Sequence, residues 1–212
     1  MLNGLAQLGV VRLGCERAFV SLIDSQNQYV VAEVSTSVSL YDIDHHPDDE
    51  DLCIGVRALD LVSGVCAGTM PAFTRHDSVY HIKTQNVIAN NKCFIIKDFT
   101  QEPHYMGRPY VVSFPDMRFY AGVPICSSSG HVIGTYAVVD NKPREGLDDQ
   151  DYLVLTEIAS SIMRHLELLK TQTSHDVRLV FCSRSSPLSR VATLHLLEAP
   201  MRPSLMVRNN CW

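Results

Sequence analysis

The chain has 212 residues, a hydrophobic share of 46% and a formal net charge of −5, enough for one domain of about 150 residues plus further segments. Acidic residues prevail over residues 1–172 and arginine over 173–212, with no basic stripe, a poor footprint for nucleic acid. No stretch approaches the ~20 apolar residues that cross a bilayer, and the seven cysteines (15, 53, 66, 93, 126, 182 and 211) contain no CxxC pair, which argues against a disulfide framework and a structural zinc site. Reduced thiols in a cytoplasmic protein are expected.

Leu2, Leu5, Leu8 and Leu13 recur at roughly helical spacing. No basic leader precedes them, so the start reads as an amphipathic helix and not as a signal peptide. Arg17 to Ile23 and Gln28 to Ser35 read as two strands joined by the turn Asp24-Ser25-Gln26-Asn27, a β-hairpin. Residues 36–63 look irregular and include a surface loop rich in Asp and His from Tyr41 to Asp51. Gly64 to Met70 is expected to be a strand or its approach, residues 76–90 a short helix, and Phe94 to Lys97 a strand that stops at Asp98 before a turn through Pro103.

Residues 118–144 are the most informative. Two strands flank the polar turn Cys126-Ser127-Ser128-Ser129-Gly130. In the first, Phe119, Ala121, Val123 and Ile125 share a face. In the second, Ile133, Thr135, Ala137 and Val139 alternate with Val132, Gly134, Tyr136 and Val138, so both of its faces are largely apolar. Such a strand belongs in the middle of a sheet covered on both sides, with helices on one and room for a small-molecule cavity on the other. A long helix follows from Asp148 to Gln172. Asp148 is its N-cap, Asp151 sits in the first turn, and Leu155, Ile158, Ile162, Leu166 and Leu169 form its apolar stripe. Residues 173–212 show no period of 2 or 3.6 and are expected to be a non-globular tail, an artefact of the gene model.

The wording of these segments resembles the GAF domain, a sensory module of signalling proteins. The matching residues are Glu102-Pro103-His104-Tyr105, Arg118 to Ile125, Ile133-Gly134-Thr135, Asp140 and Lys142-Pro143-Arg144, with the Ser21-Leu22-Ile23-Asp24 strand end before them. The resemblance covers residues 1–172 and extends to the GAF modules at the front of fungal hybrid histidine kinases. It implies an α+β fold with a central antiparallel sheet of five or six strands, the N- and C-terminal helices on one face, and loops and short helices on the other. It also implies a sensory or regulatory module of a phosphorelay, without catalysis of its own and requiring no cofactor. Such a module binds a small molecule, forms a homodimer through the Asp148–Gln172 helix, or both, and passes its state to a kinase output domain. Arg118, Tyr120 and Tyr136 are the expected ligand-binding residues, because a polar group in an apolar cavity fixes orientation and Arg suits an anion. The plainer alternative is that these three close the sheet by hydrogen bonds and packing.

Four other signals are weaker. Gly64-Val65-Cys66 resembles GAF-fold enzymes that reduce free methionine sulfoxide through nucleophilic and resolving cysteines. In those the nucleophile lies in a later apolar strand, where this chain has Phe94-Ile95-Ile96-Lys97-Asp98 with Cys93 at the wrong end. A small buried Cys66 is the simpler reading. The Asp/His run lacks the Gly and Glu positions of an EF-hand and reads as a solvated loop, not a metal site. Ser174-His175-Asp176-Val177-Arg178 echoes the first half of a histidine-kinase phosphoacceptor box and lacks the second; a truncated kinase fragment is a further alternative. Asn91-Lys92 and Phe99 echo cyclic-nucleotide GAF domains, but the Asp-Glu pair is absent, and neither the Cys nor the His of a bilin site can be placed.

Overall fold

The computed structural model describes residues 1–36, 52–61, 64–74, 84–90 and 92–184. The acidic loop at 42–51, Asn91 and most of the tail lie outside them. One compact unit contains residues 1–163, and a second begins at Arg164.

The first unit is built on a seven-stranded antiparallel sheet, two strands or one more than expected. Its strands are β1 (Arg17–Ile23), β2 (Asn27–Ser35), β3 (Arg57–Asp60), β4 (Val87–Ala89), β5 (Phe94–Ile96), β6 (Phe119–Cys126) and β7 (Val132–Asp140). They lie in the order β3-β2-β1-β7-β6-β5-β4. The β1–β2 hairpin turns on Asp24, whose Oδ1 accepts the backbone N–H groups of Gln26 and Asn27 at 2.8 and 2.7 Å, a side-chain mimic of a backbone turn. As the patterning required, β7 sits at the centre, between β1 and β6.

Helix α1 (Leu2–Leu13) and the start of helix α4 (Asp149–Arg184) cover one face. Asp148 caps α4 by accepting the Asp151 N–H at 2.7 Å, and Leu155, Ile158, Ala159 and Ile162 are its buried stripe. Burying each large aliphatic of that stripe contributes about 1.5–3 kcal/mol. Arg144, the last residue of the Lys-Pro-Arg run, shows what that run does. Its guanidinium pairs with Asp140 and donates to the carbonyls of Leu13 and Gly14. It thereby satisfies backbone acceptors left open at the end of α1 and ties that end to β7.

The other face carries α2 (Cys66–Thr74), a 3-10 turn (Phe99–Gln101), α3 (Pro109–Val112) and the loops between them. A second apolar core fills this side, with Phe94, Ile96, Phe99, Tyr105, Tyr110 and Tyr120 among its members. Asp98 caps the 3-10 turn by accepting the Thr100 N–H. Buried Glu102 accepts Thr84 Oγ1 and Asn86 Nδ2 at 2.6 and 3.0 Å, so the acidic-Pro-aromatic turn anchors the chain that enters β4.

Three expectations change here. Gly64–Met70 does not form a strand: from Cys66 on it is helix α2, because a short apolar run is compatible with either state and the Val65 carbonyl accepts the Thr69 N–H. The expected helix at 76–90 gives way at its end to β4, which pairs with β5 in the register Val87↔Ile96; residues 75–83 lie outside the described ones. Helix α4 runs on to Arg184, past the expected end at Gln172 and through Ser174–Arg178.

Candidate functional site

The face opposite α1 and α4 holds a small cavity of about 40 Å³. Phe19 and Ser21 of β1, Gln28 of β2, Tyr120 of β6, and Thr135, Ala137 and Val139 of β7 form its floor. Ile54, Gly64, Val65, Tyr110 and Met117 close it from the loops and α3. None of these residues is charged.

The floor follows from strand alternation. Thr135, Ala137 and Val139 share one phase of β7, and Phe19 and Ser21 the matching phase of β1, with Ser21 directly across from Thr135. The β1–β2 register shifts between Val20 and Ser21, a bulge that re-aims the strand beyond it. There Gln28 Nε2 donates to Ser21 Oγ at 3.0 Å. Gln28, Ser21 and Thr135 thus form a polar strip across three adjacent strands at the rim of an otherwise apolar floor.

Of the three residues expected to bind ligand, only Tyr120 lines the cavity. Its ring packs edge-on against Phe94 and Phe99, at centroid distances of 6.2 and 6.4 Å, and its hydroxyl lies 3.4 Å from Thr69 Oγ1. Tyr136 is on the opposite face. Its neighbours Thr135 and Ala137 take the cavity side, so it turns toward the helices and donates to the Ala6 carbonyl at 2.8 Å. Burial pushes its phenol well above the ordinary value.

Arg118 precedes β6 and bends back over the loop before it. Nη1 donates to the carbonyls of Val111 and Met117 at 2.9 and 3.1 Å, and Nη2 pairs with Asp116. It holds in place the segment that carries Tyr110 and Met117 and is not among the residues that line the cavity. Its charge also acts on Asp98: burial alone would raise that carboxyl, but hydrogen bonds from Thr100 and Gln101 together with Arg118 hold it below the usual range.

A second group of polar residues orders the cavity's roof. The Glu33 carboxylate is fully buried and accepts the backbone N–H groups of Cys53, Ile54 and Gly55 at 2.7, 2.8 and 2.7 Å, and Arg17 Nη1 at 3.2 Å. The Arg17 guanidinium lies over the Phe114 ring, 4.9 Å from its centroid. Reading the sequence missed Ser21, Gln28 and Glu33. The available signal was a polar residue in the inward phase of an apolar strand, as Ser21 is beside Phe19.

An open cleft of about 590 Å³ lies between Thr84–Asn86, Lys97–Glu102 and Pro143–Glu145. Many of its polar groups are already engaged with one another, Lys97 with Glu145 and Thr84 and Asn86 with Glu102, so it offers little to a ligand. Among the described residues no three His, Cys, Asp or Glu side chains converge as for a metal. Cys93 is buried and its thiol is pushed up by burial, against smaller opposing effects of Asn90 and Lys92, which disfavours the reactive thiolate. The Cys66 side chain lies outside the described residues.

A cyclic di-GMP phosphodiesterase of Pseudomonas aeruginosa is 24% identical over 165 residues, which are 78% of this chain and 25% of that protein; the chain spans only a quarter of that relative's length. Among solved structures, the domain of a sensor histidine kinase protein of Sinorhizobium meliloti aligns with a TM-score of 0.50 at 13% identity, covering 82% of this chain and 93% of its own. The GAF domain of a phosphoenolpyruvate-protein phosphotransferase of Coxiella burnetii aligns with a TM-score of 0.52 at 12% identity, covering 82% and 86%. At such identities these structures speak for the fold alone. The GAF domain family model matches residues 5–166, and the chain therefore belongs to the GAF domain family.

Proposed function

We propose that this chain is a sensory domain of a signalling protein, which holds a small molecule in the β1–β2–β7 cavity and passes its state along α4 to an output domain. The observation that carries this reading is α4 itself. The helix begins with a buried stripe against the sheet and runs on to Arg184, so a shift in the sheet acts directly on the start of α4. The output proposed for it is a phosphorelay kinase of the hybrid histidine kinase type. The match to a quarter of a cyclic di-GMP phosphodiesterase favours a domain of this kind within a larger protein. The domain works in the cytoplasm as a binding module without catalysis of its own. The buried, raised thiol of Cys93 lends no support to a thiol reductase.

Transmission through a helix of this kind works best in a parallel pair. Leu168 and Leu169 are 61% and 41% exposed on α4, apolar residues suited to such a seam. Sedimentation of the full chain is expected to show a dimer that the double substitution Leu168→Glu/Leu169→Glu converts to a monomer. A monomeric wild type, or a dimer indifferent to the two charges, would remove the helix-pairing mechanism.

A further inference from the structure

We infer that Arg17 joins two parts of the cavity's roof, so that the segments carrying Ile54 and Met117 open and close over the cavity together. The inference rests on the reading of this domain as a ligand-binding module and names how its cavity is entered. Its test uses no ligand, so either can fail without the other.

The floor of the cavity is continuous sheet, with α1 and the start of α4 behind it, so a molecule enters through the roof. Two pieces of that roof are held in different ways. Residues 53–55 are bonded to one carboxylate: Glu33 Oε1 accepts the Cys53 N–H, and Oε2 accepts those of Ile54 and Gly55. Residues 110–117 are braced within themselves. The Met117 N–H donates to the Tyr110 carbonyl at 2.8 Å, and Arg118 donates to the carbonyls of Val111 and Met117. Each piece therefore moves as a body.

Arg17 lies between them. Its Nη1 donates to Glu33 Oε1 at 3.2 Å, and its guanidinium sits over the Phe114 ring, 4.9 Å from the centroid. The Arg17 side chain is 8% exposed and that of Glu33 0%. Attraction between such charges is strong while water is kept out and falls as the local dielectric rises. Phe114 is part of the cover over the guanidinium. When the 110–117 piece lifts, the cation–π contact is lost and water reaches Arg17. Water then competes for the Glu33 carboxylate, which holds 53–55 less tightly. Lifting 53–55 likewise exposes Glu33 and, through it, Arg17. Opening either piece lowers the cost of opening the other, which makes one cooperative unit of two segments far apart in the chain.

The test is native-state hydrogen exchange of the isotope-labelled full chain, read by NMR under conditions in which rates report opening equilibria. The amides of Ile54 and Gly55 report one piece and that of Met117 the other. They are expected to share one opening equilibrium, more favourable than that of amides in the β1–β7 ladder. Phe114→Leu keeps the apolar bulk and loses the ring. It is expected to speed exchange at Ile54 and Gly55 about two- to fivefold, the size of a partly exposed cation–π contact, and to leave the β1–β7 ladder unchanged. In an Arg17→Met background the same substitution should leave Ile54 and Gly55 unmoved, which separates coupling through Arg17 from a direct contact. Phe114→Trp, which keeps an aromatic face for the guanidinium, should exchange no faster than wild type and keeps the test open if Arg17→Met fails to fold.

Unchanged exchange at Ile54 and Gly55 in Phe114→Leu, an equal effect with and without Arg17, or a Phe114→Trp variant as fast as Phe114→Leu overturns the inference. Different opening equilibria for Met117 and Ile54 overturn it as well, as does a roof that exchanges only with the ladder. None of these results touches the ligand-binding reading.

Discussion

Replacing Glu33 by Ala tests how the cavity's roof is held. The carboxylate is fully buried and accepts three backbone N–H groups and the Arg17 guanidinium. Its removal leaves a buried arginine without its counter-charge, a loss of about 3–5 kcal/mol. The three N–H groups would each add about 1–3 kcal/mol if they stayed sealed, but the 53–55 loop can shift to admit water, so the total should stay near the first figure. For a chain of this size 1 kcal/mol moves Tm by about 2–4 °C, which gives a fall of about 6–20 °C. Arg17→Met should cost less, because the carboxylate keeps its three N–H donors. The double variant should therefore be more stable than the sum of the two single losses predicts, a coupling of the size seen for residues in direct contact. Urea unfolding of the wild type, both single variants and the double variant measures all of this. A Glu33→Ala variant within about 1 kcal/mol of wild type, or a strictly additive cycle, would refute the argument that this ion pair organises the loop carrying Ile54.

Two further predictions follow from packing and from the thiols. A Cβ at Gly9 would stand 2.0 Å from Tyr136 Oη, so Gly9→Ala is expected to cost about 1–3 kcal/mol by overpacking; the loss should shrink in a Tyr136→Phe background, and equal losses in both would show that the clash is not with the hydroxyl. Burial raises the Cys15 thiol from 9.0 to about 12, so the stability it contributes is fully present below about pH 9 and lost as pH rises toward about 12. Exposed Cys126 should accordingly react with a thiol reagent in the native protein well before Cys15, and comparable rates at the two sites would contradict the buried placement.

Some of this architecture was legible in the residues alone. The β1–β2 hairpin, the paired strands at 118–140, the central place of β7 and the Asp148 cap each rest on short-range signals. These are period-2 alternation, turn chemistry and a side chain that bonds its own neighbourhood, and all act within a few residues. Strands β3 and β4 were missed because they are short and mostly exposed, and their ladder partners β2 and β5, not their composition, hold them. Helix α2 was misread because an apolar run as short as Gly64–Met70 suits either state until its surroundings decide.

The site shows the same division more sharply. The sequence determined that β7 is apolar on both faces, but not which face meets the helices. Tyr136 and Ala137 differ by one position, and that one step assigns the first to α1 and the second to the cavity. Only the sheet order and the packing of α1 could break that symmetry. Arg118 looked like a ligand anchor because its charge is visible in the chain, whereas the loop carbonyls that absorb it lie in a segment whose path the sequence does not specify. Glu33 and Gln28 looked like ordinary strand residues. The bulge after Val20 and the return of the 53–55 loop bury them, and both arise from contacts between segments far apart in the chain. Local patterning thus set the elements and their apolar faces, and tertiary structure chose the phase, because a side chain's environment is made by residues its own neighbours do not encode.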